Sequence, residues 1–277
     1  MRKMLLLIVF SLVILLIGCN EKTVEMDIPR EDQFIVGLEV NYAPFNYGQN
    51  YKTPYNYEVE NMTGLYADGY DVQIAKAIAA SLGKVLVIQK LDWDALIPQL
   101  ESGKIDAIIA GMSPTEARKQ SVLFSDGYYE STHVMLVAEN SEYSDAKTLA
   151  DFSGARVVGQ HGTVYDDLID QIPNVEHQTP LKSVPDILTQ ILANKSDATI
   201  LELPVALGIA ENNPEFKVIE LEDGFEVSEE ERIVSIAVRL DEQELVNSIN
   251  TILAGISEEV RIKMMLQAVE RENGVTE

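Results

Sequence analysis

The chain has little of what most chemical centres need. One cysteine and three histidines are spread over 277 residues. A lone thiol forms no intrachain disulfide, and His133, His161 and His177 lack metal-ligand spacing, so neither a metal nor any other cofactor is expected. There is no Gly-Lys-Ser/Thr phosphate loop and no Gly-x-Ser-x-Gly elbow, and no catalytic constellation is visible. Basic residues are scarce: 21 against 45 acidic ones, for a net charge of -24. Nucleic acid calls for basic patches, so it is excluded as a partner. Anionic lipid would repel such a chain unless it were covalently anchored. Acidity favours a cationic ligand only through the local field, and as a global number it speaks for solubility. Carboxylate pairs occur by chance at this acidity, and Glu229-Glu230-Glu231 reads as a solvated charge run.

Long apolar runs are also rare, and the clearest is at the start. Residues 4–17 are apolar except for Ser11, behind a positive Arg2-Lys3. The run is short for a membrane span and right for a signal-peptide core. It ends in Leu16-Ile17-Gly18-Cys19, which resembles a bacterial lipobox. The expectation is a signal peptide over 1–18, lipidation of Cys19, and a polar tether over 19–32. The alternative is a buried cysteine in an uncleaved anchor helix. Cleavage would remove Arg2 and Lys3 and take the charge from -24 to -26.

Beyond residue 32, strand and helix patterns alternate. Residues 34–40, 85–89 and 105–110 read as strands. Residues 70–82 carry apolar side chains at helical spacing and stop at Gly83, and 93–101 read as a second helix. A second set follows, with strands at 132–138, 156–159, 198–203 and 216–221 and helices at 164–172, 184–193 and 204–211. Residues 233–238 alternate, and Asp241 is expected to cap two closing helices. The alternation predicts an α/β fold with a mostly parallel sheet. Residues 46–63, rich in Asn and Tyr, have no clean period. They fit an extra loop or hairpin, on the surface or as a wall of a cleft.

Two helix starts draw attention. At the first, Ser113-Pro114-Thr115-Glu116 follows a strand and Gly111-Met112, and has the form of a capping box with Pro at the first helical position. Arg118, one turn on, can grip a carboxylate with two parallel hydrogen bonds. At the second, Gly159-Gln160-His161-Gly162-Thr163 leads into a helix beginning at Val164. Each alone is an ordinary capped helix. Facing each other, with Arg118, they would clamp one anion. Glu202 closes an apolar strand, where a charge either faces a polar cleft or is costly. Glu39 has the same kind of position. Tyr42 and Trp93 offer flat faces suited to a cationic side chain, or pack in the core.

The motifs Asn41-Tyr42-Ala43-Pro44-Phe45, Gly69-Tyr70-Asp71-Val72, Trp93-Asp94-Ala95-Leu96-Ile97-Pro98, Gly111-Met112-Ser113-Pro114-Thr115 and Phe124-Ser125-Asp126, together with the Gly162-Thr163 turn, resemble the amino-acid-binding proteins of ABC importers, bacterial extracellular solute-binding family 3. The similarity runs from about Gln33 to Gln267. It implies a two-lobed periplasmic-binding-protein-like (type II) fold that closes over one amino acid in the cleft. Lobe 1 would be 33–130 plus 228–277, and lobe 2 would be 131–227. It further implies that Arg118 takes the α-carboxylate, helped by backbone at Gly111, Ser113, Thr163 and Val164. Glu202 would take the α-ammonium, with Tyr42 and Trp93 around the side chain. The position of Glu39 is acidic in members that bind lysine, arginine or ornithine. Two departures stand out: Glu202 is more often Asp in the family, and His161 precedes the Gly-Thr turn, where it could alter ligand choice.

The implied protein is not an enzyme. It is a monomeric, lipid-anchored binder on the extracytoplasmic face of the cell membrane, of Gram-positive type. Its partners would be a basic amino acid (arginine, then lysine or histidine) and an ABC permease with its ATPase. The other classes are an amino-acid-sensing surface lipoprotein and a dehydratase on the same fold.

Overall fold

The computed structural model describes residues 28–274. The signal peptide, Cys19 and most of the tether lie outside the described residues. Among the described residues no helix is long and apolar enough to cross a membrane.

Two five-stranded sheets carry the fold. The first runs Val85–Lys90, Gln33–Leu38, Ala107–Ile108, Ile233–Arg239, Val122–Glu130, with its first three strands parallel. The second runs Glu176–His177, Arg156–Val157, Ala198–Glu202, His133–Ala138, Phe216–Ile219. Strands covered on both faces must be apolar throughout, and Phe34 to Leu38 and Ala198 to Glu202 are buried at every position. The same holds for Val234 to Val238. The alternation expected there is therefore wrong: this strand is internal to its sheet, between Ala107–Ile108 and Val122–Glu130.

Between the sheets the chain crosses at residues 131–132 and returns near 220–232. The crossings run side by side: Ile233 pairs with Glu130, and Ser131 N–H donates to the Arg232 carbonyl at 3.0 Å. The fold is α/β and two-lobed, with a ligand cleft between the lobes, as the type II class requires.

Most helices fall where their spacing puts them, at Tyr70–Ser81, Val184–Leu192 and Leu203–Asn212. Ser183 caps Val184–Leu192 by accepting from Asp186 N–H, with Pro185 in the first turn. The closing helices are Gln243–Ala254 and Glu258–Glu272. Asp241 caps neither. Glu242 precedes the first without a side-chain cap, and Ser257 caps the second.

The segment 46–63 is more ordered than a loop. With its neighbours it forms a four-stranded antiparallel sheet, Asn41–Tyr42, Asn46–Gln49, Tyr66–Asp68, Tyr57–Glu58. Arg271 of the last helix fastens it, donating to both oxygens of Asp68 at 2.8 and 2.9 Å and lying over the Tyr55 ring at 5.0 Å. Both charges are buried.

Candidate functional site

The site begins where the strand Gln33–Leu38 ends. Glu39 is only 4% exposed, and Val40 follows at φ 58°, a conformation that a β-branched residue holds only under constraint. The constraint is visible: Val40 N–H donates to Asn46 Oδ1 at 2.8 Å, and Asn46 Nδ2 donates to Asp71 Oδ2 at 2.8 Å. The other Asp71 oxygen accepts from the Tyr128 hydroxyl at 2.6 Å. That hydroxyl in turn accepts from Gly111 N–H at 3.1 Å. Gly111 has φ 60°, which glycine adopts without strain. One buried carboxyl thus holds the turn bearing Glu39 and the turn after Gly111. Burial pushes Asp71 up to about 6, and the bonds from Tyr128 and Asn46 oppose it. In the sequence Asp71 stands out only within the Gly69-Tyr70-Asp71-Val72 motif, and nothing there revealed this network.

The helix expected to start at Ser113 does not form. Residues 113–117 are irregular, and only a single 3-10 turn, Arg118–Gln120, precedes the strand Val122–Glu130. The chain re-enters its sheet at Val122, which leaves room for that one turn only. The Ser113 carbonyl accepts from Thr115 N–H at 3.0 Å and from Arg118 Nη1 at 2.7 Å. No helix dipole acts here. Arg118 is the cation at this position, and burial draws its guanidinium below its ordinary value.

In the second lobe the helix does begin after Thr163, as Val164–Leu168, and continues as the 3-10 turn Ile169–Gln171. The Thr163 hydroxyl donates to the Gln160 carbonyl at 2.8 Å, so it does not cap the helix. Asp166, in the first turn of this helix, accepts from His177 Nε2 at 3.0 Å. It also lies under Gly159, where an added Cβ would stand 2.6 Å from its Cα.

The lobes meet through these residues. The Gly162 carbonyl accepts from Trp93 Nε1 at 3.2 Å and from Arg118 Nη2 at 2.9 Å, and the guanidinium lies 5.1 Å from the Trp93 ring centre. The Tyr42 hydroxyl, on a ring stacked against Phe45, donates to Glu202 Oε2. Gln160 Nε2 donates to Glu39 Oε1 at 3.0 Å and to the Lys182 carbonyl at 3.1 Å. His161 Nδ1 lies 3.1 Å from Asp94 Oδ1 with its side chain 61% exposed, so it sits at the rim.

The two glutamates are unusual. Glu202 is 2% exposed, its Oε1 has no hydrogen-bond partner, and burial pushes its carboxyl up to about 8. Burial likewise pushes Glu39 up to about 7, with Gln160 and Lys90 opposing. Neither glutamate is in an ion pair among the described residues.

The fold therefore brings these residues together across the lobes in three sets of contacts: Glu39 with Gln160, Tyr42 with Glu202, and Trp93 and Arg118 with Gly162, with Ser113 beneath Arg118. Met112 packs into the core, and its carbonyl accepts from Ser235 N–H at 2.9 Å. Val164 packs into the second-lobe core. Sequence reasoning missed Gln160 and Asp94. Both flank singled-out positions, and only the fold shows them reaching across. Among the described residues no group of three or more His, Cys, Asp or Glu could hold a metal ion.

Comparison with known proteins gives the arrangement its context. Residues 34–268 match the model for bacterial extracellular solute-binding proteins, family 3. The arginine-binding extracellular protein ArtP of Bacillus subtilis is 28% identical over 256 residues, covering 91% of this chain and 92% of that protein. A probable histidine-binding protein of Campylobacter jejuni is 32% identical over 203 residues, covering 72% of this chain and 73% of that one. Among solved structures, the arginine-bound form of ArgBP from T. maritima superposes with a TM-score of 0.67 at 29% identity, over 82% of this chain and 97% of that one.

Proposed function

The chain belongs to the bacterial extracellular solute-binding proteins, family 3, and on that premise we propose that its cleft takes one free amino acid with a cationic side chain. Arginine ranks first, then lysine or histidine. The observation that carries this reading is the pair of buried glutamates, one from each lobe, that form no ion pair among the described residues. An amino acid with a basic side chain supplies two cations, and each would relieve one desolvated carboxyl. The names of the arginine- and histidine-binding relatives agree with it.

In this reading Arg118 turns from the Gly162 carbonyl to the ligand's α-carboxylate, a charge-assisted bidentate partner that is stronger than a neutral carbonyl. Glu202 takes the α-ammonium. Its methylene beyond Asp reaches about 1.5 Å further towards the ligand. Tyr42 and Trp93 flank the side chain, and Glu39 meets its head. Gly111, Ser113, Thr163 and Val164 contribute backbone groups, and His161 guards the rim. The lobes are 33–130 plus 228–277 and 131–227. Each makes part of the contacts, so ligand favours the closed arrangement. The monomer then delivers its ligand to an ABC permease and its ATPase, held at the extracytoplasmic membrane face by lipid on Cys19.

Calorimetry with all twenty amino acids tests the ligand. Binding confined to glutamine or another neutral residue would refute the basic preference. Mass spectrometry of the processed N-terminus tests the anchor, and an unmodified Cys19 would sink it.

A further inference from the structure

Gln160 is 4% exposed and belongs to no contact that the sequence suggested. Its side-chain nitrogen faces two oxygens, Glu39 Oε1 at 3.0 Å on the first lobe and the Lys182 carbonyl at 3.1 Å on the second. Both are acceptors, so the amide must present its NH2 group here, and both hydrogens are engaged. What remains of the pair is a carbonyl oxygen and a carboxyl group. With Glu39 ionised, no donor is left over.

The surroundings agree in sign. Asp92 and Asp94 lie close enough to raise the Glu39 carboxyl, while the Gln160 hydrogen bond and Lys90 lower it. The Lys90 ammonium donates to the Glu39 backbone carbonyl and not to its carboxyl group. Lys182 shares a small cavity with Asp92 and Asp94, and His161 is paired with Asp94.

We propose that Gln160 is a specificity-determining residue, which fixes the Glu39 carboxyl group across the cleft and so makes the ligand's distal end a guanidinium in preference to a neutral group of the same shape. The inference rests on the amino-acid-binding reading above. A guanidinium brings five donors and no acceptor. The ureido group of citrulline has nearly the same shape, but it brings a carbonyl that would meet another acceptor. Desolvated acceptors left facing an acceptor are costly, so discrimination against such an analogue is steep. Gln160 also stabilises the ionised form of Glu39, which a guanidinium requires. The bond spans the lobes, so the selection acts only as they close.

The test compares arginine, lysine and citrulline binding by calorimetry across pH 5.5–9 in wild type, Gln160→Met and Gln160→Asn. Methionine keeps the length and removes the donors, and asparagine keeps the amide but is too short to span both oxygens. Both variants should lose roughly tenfold in the arginine-to-citrulline preference, as expected for one hydrogen bond to a charged group. The pH midpoint of arginine affinity should move upward as Glu39 loses the bond that favours its ionised form. Thermal melting identifies a variant that has not folded, and the other then carries the comparison. An unchanged preference and midpoint in a folded variant would overturn the role of Gln160 alone. A wild-type protein that takes no arginine would instead overturn the functional reading on which it rests.

Discussion

Replacing Glu202 by Gln tests the electrostatics of the cleft most directly. The residue is buried at the end of its strand, with one oxygen on Tyr42 and the other unpartnered. Burial lifts its carboxyl from an ordinary value of 4.5 to about 8. A group whose folded-state value is raised holds its proton more tightly when folded. Stability therefore falls as pH rises from 4.5, and the fall is complete only above 8. At about 1.4 kcal/mol per pH unit, the loss between pH 4.5 and pH 7 is about 3 kcal/mol. Gln has nearly the same shape, accepts from Tyr42 and never ionises.

The variant should thus gain about 3 kcal/mol over wild type between pH 4.5 and pH 7 in the absence of ligand, roughly 6–10 °C in Tm for a chain of this size. Any penalty from placing an amide where Oε1 stood is independent of pH and cancels from this difference. Ligand affinity should move the other way, weakening by about 1.5–3 kcal/mol as a charged acceptor is lost. Melting curves at several pH values, with and without arginine, read both. A gap between variant and wild type that stays constant with pH would refute the reasoning, because Glu202 would then titrate alike in the folded and unfolded chain.

Three further substitutions probe other parts. Arg118→Ala should weaken ligand binding by about 2–4 kcal/mol in calorimetry, through loss of a charge-assisted bidentate contact, and unchanged affinity would put the α-carboxylate elsewhere. Arg271→Ala leaves Asp68 charged and buried without its partner, and denaturant unfolding should register a loss of about 3–5 kcal/mol. Gly159→Ala would place a Cβ 2.6 Å from the Asp166 Cα. Because backbone has little room to yield, it should cost about 3 kcal/mol in the same assay, and a neutral result would show the 159–163 turn to be pliant.

The sequence revealed most where a single local rule governs. Periodicity located the helices at 70–81 and 184–192, and an acid at the end of an apolar strand marked Glu202. It misled where a local signal competed with a distant constraint. Ser113-Pro114-Thr115-Glu116 has every mark of a helix start, yet the chain must re-enter its sheet at Val122. Residues 233–238 look half-exposed until the sheet order shows them between two strands. The contacts across the cleft were out of reach for a different reason. Gln160 meets Glu39 across 121 residues, and Tyr42 meets Glu202 across 160. No pattern within either segment encodes such a meeting, and only the resemblance to a family brought the segments together.

The position of the strand Ile233–Arg239 also constrains how the chain is assembled. It lies inside the first sheet, between strands made more than a hundred residues earlier. The first sheet therefore cannot close until synthesis has passed Arg239, and the clasp between Asp68 and Arg271 waits for residue 271. The second sheet draws only on residues from 133 to 219 and needs nothing made later. The part of the protein made first is thus the last to be finished. In the interval the edges of Ala107–Ile108 and Val122–Glu130 stand without the strand that joins them, and the growing chain is then most open to pairing with the wrong partner.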